Sequence, residues 1–252
     1  MRSYLVFLLL VVVKIFSRLF YRVDLRWIGD PPADRWRHIR LLAVLNHTSL
    51  YEPLFTGGVP LSFLWRIARH GVLPIAQKTA VRPLVGQFYK LIAARVISIT
   101  RERDESWDEV LSHVDPDAMV ALLPEGRMKR ATGLDSTGQP MTVRGGIADL
   151  IESLGAGRML LAYSGGLHHV QAPGERFPRL WKTIRIRLEL VDIAAYRATL
   201  LAQAGAAGAG GPGGPGGPGG PGGWKRAVIA DLEQRRDLYC LGEPPPDAAP
   251  AA

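Results

Sequence analysis

Short apolar runs separated by longer amphipathic segments dominate the pattern of the chain. Five largely apolar runs, each five residues long, predict buried strands, because a strand covered on both faces carries apolar side chains in succession. A sixth run, Thr183–Leu190, alternates isoleucine or leucine with arginine or glutamate, which predicts a half-exposed strand nearer an edge of the sheet. The five continuous runs are Leu41–Leu45, Val72–Ala76, Val96–Thr100, Met119–Leu123 and Met159–Tyr163.

Helical patterns lie between these strands. Asp104 and Thr142 stand where an N-cap residue is expected, and Gly155 stands where a helix would stop. Strands that alternate with helices predict an α/β domain over residues 29–204, with a mixed, mostly parallel sheet flanked by helices. The predicted helices are Arg82–Ala94, Asp104–Val114 and Thr142–Leu154.

The N-terminal segment predicts membrane association. Tyr4–Val13 is an unbroken run of ten apolar residues, whereas a full span takes about 20. Basic residues then recur at positions 14, 18, 22 and 26, near helical spacing. This is typical of a helix that dips into the bilayer or lies at its interface, and a buried core helix is the alternative. We assign residues 1–28 to this helix, and the bases after the apolar run predict that the rest lies at the cytoplasmic face of the membrane.

The C-terminal part begins with a low-complexity segment, residues 205–223, which ends in repeated Gly-Gly-Pro. The triplets are too few for a collagen helix, so a flexible linker is predicted. In residues 224–252, a helix over Trp224–Leu241 would place Trp224, Val228 and Leu232 on one face. This helix either docks on the domain or rests on lipid, and the sequence does not decide between them. A disordered tail is predicted after it.

The charge of the chain favours an anionic partner. There are 31 Lys and Arg residues against 23 Asp and Glu, a formal net charge of +8. Nucleic acid is not the expected partner, because no basic run with interleaved stacking aromatics and no zinc-finger or RNA-binding signature occurs. The single Cys240 excludes an internal disulfide framework and a cysteine-rich zinc site. An anionic lipid surface and a phosphorylated substrate remain.

Polar, reactive groups follow four of the predicted strands directly. In α/β sheets ligands collect at the carboxyl ends of the strands, so these groups predict one shared site. His47 is the best general base among them, since an unperturbed imidazole has a pKa of about 6.5. Glu52 could hold the other ring nitrogen and fix the tautomer, although the spacing alone fits a structural histidine equally well. The groups are Asn46 with His47, then Lys78, then Arg101, then Pro124-Glu125-Gly126-Arg127.

The order and spacing of these groups resemble the glycerolipid acyltransferases of the lysophosphatidic-acid acyltransferase family. Residues 46–52, Asn-His-Thr-Ser-Leu-Tyr-Glu, match that family's N-H-x-x-x-x-D block, and residues 123–126, Leu-Pro-Glu-Gly, match its F-P-E-G block. Residues 78–86 are similar to its lysine-to-proline-glycine segment, and residues 96–101 to its second block, which ends in arginine. With the basic-glycine pair at 144–145, the resemblance covers about residues 40–190.

This resemblance implies that His47, assisted by Glu52, deprotonates an acceptor hydroxyl, which then attacks the carbonyl of an acyl thioester. It further implies acyl-CoA or acyl carrier protein as donor, a lysophospholipid-like acceptor and contact with membrane lipids. It requires neither a metal nor a redox cofactor. The residues that it assigns to phosphate and glycerol binding are Arg101, Glu125 and Gly126, with Asn46 and Lys78 beside them.

Three departures from the family pattern bear on the identity of the acceptor more than on the expected acyl-transfer reaction. Glu52 stands where the family has aspartate, and it is one methylene longer. Met128 stands where the third block usually has arginine, so either Arg127 or Arg130 takes that part or both are solvated surface bases. The family's V-P block is replaced by residues 162–169, Ala-Tyr-Ser-Gly-Gly-Leu-His-His.

Two other readings compete with an acyltransferase. Ser164 lies in a sequence one residue from the G-x-S-x-G nucleophile elbow, which would make the chain a serine esterase. That triad needs a histidine after its acid, and no histidine occurs after His169. The other reading is a non-catalytic lipid-binding relative, which the altered Glu52 and third block favour.

Overall fold

The computed structural model describes residues 1–100, 105–173, 175, 177–208 and 222–240. Strands β1 to β7 are Arg22–Trp27, Ile39–Leu45, Gly71–Ala76, Arg95–Ile99, Met119–Leu122, Arg158–Ser164 and Thr183–Asp192. Helices α1 to α8 are Arg2–Phe20, Leu61–His70, Gln77–Ala80, Pro83–Lys90, Glu105–Ser112, Gly146–Leu154, Ile193–Gly208 and Gly223–Tyr239. A 3₁₀ helix covers Glu52–Gly58.

The strands form one mixed sheet in the order β1-β7-β6-β2-β5-β3-β4. Strand β2 pairs in parallel with β5 and β6, and β3 pairs in parallel with β5 and β4. Only the β6–β7 pair is antiparallel, and β1 pairs in parallel with β7. The predicted α/β class with a mostly parallel sheet is therefore confirmed. This topology brings the carboxyl ends of β2, β3, β4, β5 and β6 to the same edge of the sheet.

The predicted N-terminal helix over residues 1–28 is too long. Helix α1 ends at Phe20, and the next residues form the edge strand β1. The bases at 22 and 26 fit a helical spacing, but Val23, Leu25 and Trp27 recur every second residue and pack against the core. The two-residue period prevails here, because it lets one face of an edge strand cover the sheet's apolar layer while the arginines face solvent.

Three further boundaries differ from the sequence-based expectation. The predicted helix 82–94 is shorter in the structure, where α4 covers Pro83–Lys90, and the separate short helix α3 precedes it. Thr142 does not cap α6, which begins at Gly146, because the Val143 and Arg144 amides are already bound elsewhere. Gly155 does end α6, with φ of 65°. Residues 205–208 continue α7, whereas the Asp104 cap, residues 209–221 of the predicted linker and the tail 241–252 lie outside the described residues.

Two helical layers cover the sheet. Helices α5, α6, α7 and α8 pack on one face around a large apolar core. Helices α1 and α2 and the 3₁₀ helix cover the other face. The C-terminal helix, whose position the sequence left open, docks back on the domain through Val228 and Leu232.

Helix α1 is long and apolar enough to cross a membrane, yet it contacts the domain near both ends. Near its start, the Tyr4 ring lies 5.1 Å from the Trp65 ring. Further along, Lys14 Nζ donates to the carbonyl of Val59 at 2.6 Å, and Ser17 Oγ donates to that of Leu54 at 2.6 Å. The helix therefore lies along the domain, and its opposite face is exposed.

Candidate active site

The turn after β2 presents Asn46 and His47 at the carboxyl edge of the sheet. Asn46 has φ of 64°, a left-handed conformation that asparagine tolerates better than most residues. Its Nδ2 donates to the carbonyl of Ser164 at the end of β6, at 2.9 Å. This hydrogen bond joins the turn to the neighbouring strand and directs the next residue, His47, away from the sheet.

His47 and Glu52 form a buried pair. Nδ1 of His47 lies 2.8 Å from Oε1 of Glu52, and only 10% and 8% of the two side chains are exposed. The Thr48 and Ser49 amides also donate to Oε1, at 3.3 and 3.2 Å. Glu52 is held in this orientation because it opens the 3₁₀ helix, only five residues after the histidine. Since Nδ1 is occupied, Nε2 is the ring nitrogen that remains for proton transfer.

The surroundings of His47 shift its basicity. Burial lowers the pKa of the imidazole, but the negative charge of Glu52, the hydrogen bond to it and the charge of Glu125 together outweigh this effect. The pKa of His47 therefore lies above its usual value. This is the direction expected for a base that becomes a stabilised imidazolium when it takes up a proton.

Glu125 holds the histidine turn from the other side. Its carboxylate accepts the Asn46 amide at Oε1, at 3.2 Å, and the His47 amide at Oε2, at 2.8 Å. The side chain is only 1% exposed, and Arg236 of α8 lies 3.4 Å from Oε1. Gly126 follows with φ of 62°, which turns the chain away after β5. Glu125 is thus placed to position the base, a role that the sequence did not suggest.

Among the residues that the structure describes, the basic ones predicted to bind substrate do not form a cluster with direct contacts like that of His47, Glu52 and Glu125. Arg127 forms an ion pair with the buried carboxylate of Asp135. Hydrogen bonds from Thr137 and Gln139, and to a smaller extent the one from Arg127, hold the pKa of that carboxyl below its usual range. Arg130 is exposed, and its amide closes a turn onto the Leu134 carbonyl. Lys78 is exposed on α3, at the carboxyl end of β3. Arg101 lies outside the described residues.

One residue of the site was missed altogether. Arg236 contacts Glu125 from a helix 111 residues further along the chain. An amphipathic helix was predicted there, but nothing in the sequence indicates which of its arginines turns inward.

Ser164 is not placed as a nucleophile. Its side chain is fully buried, and its Oγ accepts the Gly166 amide at 3.1 Å. The neighbouring His168 donates from Nε2 to the Lys129 carbonyl at 2.7 Å, and His169 donates to that of Thr183 at 2.9 Å. A nucleophile elbow instead exposes its serine, so the esterase reading is wrong.

An apolar pocket reaches Glu52 of the His47–Glu52 pair. It holds about 1050 Å³ of empty space, part of it open to solvent, between the sheet and the layer of α1, α2 and the 3₁₀ helix. Its walls are almost entirely aliphatic and aromatic, and Glu52 contributes a carboxylate to them. Oε2 of Glu52 is buried without a hydrogen-bond partner among the described residues. Side chains along its length include Leu10, Leu42, Phe55, Phe63, Ala121 and Ala162.

Metal ligation is not evident in the described part of the chain, where no group of three or more His, Cys, Asp or Glu side chains is arranged to hold an ion.

The fold of this chain is similar to that of a solved acyltransferase structure, in agreement with the resemblance found in the sequence. One solved structure that matches is that of the 1-acyl-sn-glycerophosphate (LPA) acyltransferase PlsC from Thermotoga maritima, with a TM-score of 0.52. The sequences are 14% identical, and the match covers 91% of this chain and 79% of that chain. No protein-family model matches the chain, and no curated protein matches it by sequence. At this identity the likeness establishes the fold alone.

Proposed function

We propose that this protein is a membrane-associated O-acyltransferase, which moves a fatty acyl group from an acyl thioester to the hydroxyl of a lysophospholipid-like acceptor. The observation that carries the proposal is the buried His47–Glu52 pair at an apolar pocket, in a fold shared with a known acyltransferase. A base held by a carboxylate supplies the proton chemistry, and the pocket suits the acyl chain.

The proposed reaction needs one base and no covalent enzyme intermediate. Nε2 of His47 takes the proton of the acceptor hydroxyl while the oxygen attacks the thioester carbonyl. The tetrahedral intermediate then collapses, the carbon–sulfur bond breaks, and the imidazolium returns its proton to the leaving thiolate. Glu52, 2.8 Å from Nδ1, fixes the tautomer and stabilises the imidazolium between these two steps.

The apolar pocket is the proposed site for the acyl chain. Each methylene group that leaves water for such walls contributes about 0.8 kcal/mol, so a long chain would bind firmly without any polar contact. Because Glu52 lines this pocket, an acyl chain bound there would bring the thioester carbonyl toward the His47–Glu52 pair. The donor is acyl-CoA or acyl carrier protein, both delivered from the cytoplasm.

The outer face of α1 supports membrane association. Leu5, Leu8, Val12, Ile15 and Leu19 are exposed along this face. Trp181 is 70% exposed, and its ring lies 5.4 Å from that of Phe20 at the end of α1, which extends the apolar surface. Exposed apolar surface next to basic side chains is typical of proteins that lie on anionic lipid. This surface supports the proposed association with a membrane, on the cytoplasmic face that the basic residues after the apolar run predict.

Recognition of the acceptor is proposed for bases at the same sheet edge. Lys78 and Arg130 are exposed, and neither forms an ion pair with a carboxylate among the described residues, so an anionic headgroup has access to them. Arg101 is included on the family resemblance. Arg127 is a weaker candidate than the sequence indicated, because Asp135 already binds its guanidinium.

The decisive experiment measures thiol release from acyl-CoA and from acyl carrier protein in the presence of lysophospholipid acceptors. We expect turnover by the wild type and its loss in His47→Ala. The matched control is His113→Ala, which removes a half-buried histidine just after α5 that donates to the Glu109 carbonyl, away from the His47–Glu52 pair. Equal rates for wild type and His47→Ala would exclude the proposed catalysis. Lipid binding without turnover would leave the non-catalytic relative as the function.

A further inference from the structure

The position of α8 on the domain is fixed by polar contacts on several sides. Lys225 Nζ lies 2.7 Å from Asp149 of α6, and Arg235 Nη1 lies 2.5 Å from Glu189 of β7. The carboxylate of Glu233 accepts the Val143 amide at 2.8 Å. The Lys225 and Glu233 contacts tie α8 to α6 and to the segment before it, and they hold the helix in the rotation that turns Arg236 toward the site.

Arg236 reaches Glu125 from behind the histidine turn. Its side chain is 14% exposed, its Nη1 lies 3.4 Å from Oε1 of Glu125, and the same nitrogen donates to the Met141 carbonyl at 3.0 Å. On the outer side, Nε donates to the exposed carboxylate of Asp237 at 2.9 Å. The guanidinium therefore links the end of α8 both to Glu125 and to the segment that leads into α6.

This contact matters because Glu125 is buried and works with both oxygens. One oxygen accepts the Asn46 amide and the other accepts the His47 amide, so the carboxylate clamps two successive peptide groups. A buried carboxylate without a cationic partner is strongly unfavourable, and the cation offsets that cost. The clamped turn also includes the left-handed Asn46, a conformation that its surroundings must hold in place.

We propose that Arg236 is a positioning residue of the active site, which holds Glu125 so that its carboxylate in turn holds the turn carrying His47. The inference rests on the proposed function, since it assigns a part of the same site. Arg127 and Arg130 were the expected replacements for the arginine missing at Met128. Arg127 is instead bound by Asp135, and the arginine that reaches Glu125 comes from the C-terminal helix.

The kinetic test compares Arg236→Gln with Arg235→Gln. The second variant removes an arginine from the same helical turn and breaks the Glu189 contact, but it does not touch Glu125. We expect Arg236→Gln to lower kcat by about tenfold to a hundredfold, the effect of losing one charged partner at a buried site, with KM changed less than about threefold. Arg235→Gln should lower the melting temperature and leave kcat within about threefold of wild type.

Two rescue measurements distinguish a role of the positive charge of Arg236 from a role of its packing alone. Arg236→Lys keeps the charge, so we expect it to retain more activity than Arg236→Gln. If Arg236→Gln does not fold, Arg236→Lys takes its place in the comparison with wild type. In Arg236→Ala, added methylguanidinium should restore part of kcat, and urea of the same shape should not. Failure of both rescues, or equal kcat losses in Arg236→Gln and Arg235→Gln, would overturn the proposal.

Amide hydrogen exchange gives a readout that does not need turnover. In Arg236→Gln the Asn46 and His47 amides should exchange faster than in wild type, and in Arg235→Gln they should not. If the wild type transfers no acyl group but this difference is found, the proposed function fails and the positioning contact stands. If the wild type is active and the two variants exchange alike at these amides, the positioning role is refuted.

Discussion

Replacing Glu52 by glutamine removes the negative charge beside His47 and leaves the shape of the side chain nearly unchanged. The Thr48 and Ser49 amides both point at Oε1, so the amide oxygen of glutamine is expected to take that position. It can still accept a hydrogen bond from Nδ1 of His47. The substitution therefore tests the charge of the pair separately from its geometry.

The size of the effect follows from the 2.8 Å between Nδ1 and Oε1. At an effective dielectric constant of 20, an imidazolium and a carboxylate at this separation attract by roughly 6 kcal/mol. The neutral amide recovers about 1–2 kcal/mol of this through its hydrogen bond. The imidazolium forms only as the proton is transferred, so a loss of at most about 4–5 kcal/mol falls on the barrier, or roughly a thousandfold to several thousandfold in kcat.

The assay is thiol release at saturating donor, with Glu52→Asp and His47→Ala measured in parallel. Glu52→Asp should retain substantial activity, because it keeps the charge and loses only one methylene. The double variant His47→Ala with Glu52→Gln should be no slower than His47→Ala alone, since the carboxylate acts through the imidazole. Full activity in Glu52→Gln, or additive losses in the double variant, would show that the carboxylate does not assist the base.

Three other outcomes are expected from the same structure. Because the pKa of His47 is raised, kcat should rise with pH through a midpoint above about 6.5, and the Glu52→Gln variant should show its midpoint at lower pH in a pH–rate profile; an unmoved midpoint would contradict the assignment. Ala121→Phe fills part of the pocket, so competition between donors should shift toward shorter acyl chains, with the longest slowed by about tenfold or more; an unchanged chain-length profile would place the acyl chain elsewhere. Leu8→Asp and Trp181→Ser should each weaken sedimentation with anionic vesicles by about tenfold without altering the melting temperature, whereas equal binding would mean that this face does not meet lipid.

The strands were predictable because their signal is local. Each of the six apolar runs proposed from the sequence coincides with a strand to within two residues at either end. Strand β1 was missed although its alternation of Val23, Leu25 and Trp27 is equally local. Arg22 and Arg26 are four residues apart and continue the helical spacing of the basic residues after the apolar run. This spacing led to the prediction of a helix, although the apolar residues in between recur every second position as in a strand.

The site was predictable in part for the same reason. His47 and Glu52 are five residues apart, and one turn of chain is enough to join them. The part that Glu125 plays toward the backbone of the histidine turn could not be foreseen, because it depends on how β2 and β5 lie side by side. The contact of Arg236 with Glu125 was still harder to predict from the sequence, since only the packing of α8 on the domain decides which of its basic side chains turns inward.

The arrangement of α1 has a consequence for handling the protein. Leu10 of this helix lines the apolar pocket, while Leu5, Leu8 and Val12 are exposed. Cutting the chain after Phe20 to obtain a soluble protein would therefore remove one wall of the cavity and expose Leu54 and Phe55 to water. The tail of a detergent used for extraction could enter the same apolar pocket. Its length would then determine whether the detergent stays outside the pocket or competes with the proposed acyl donor for it.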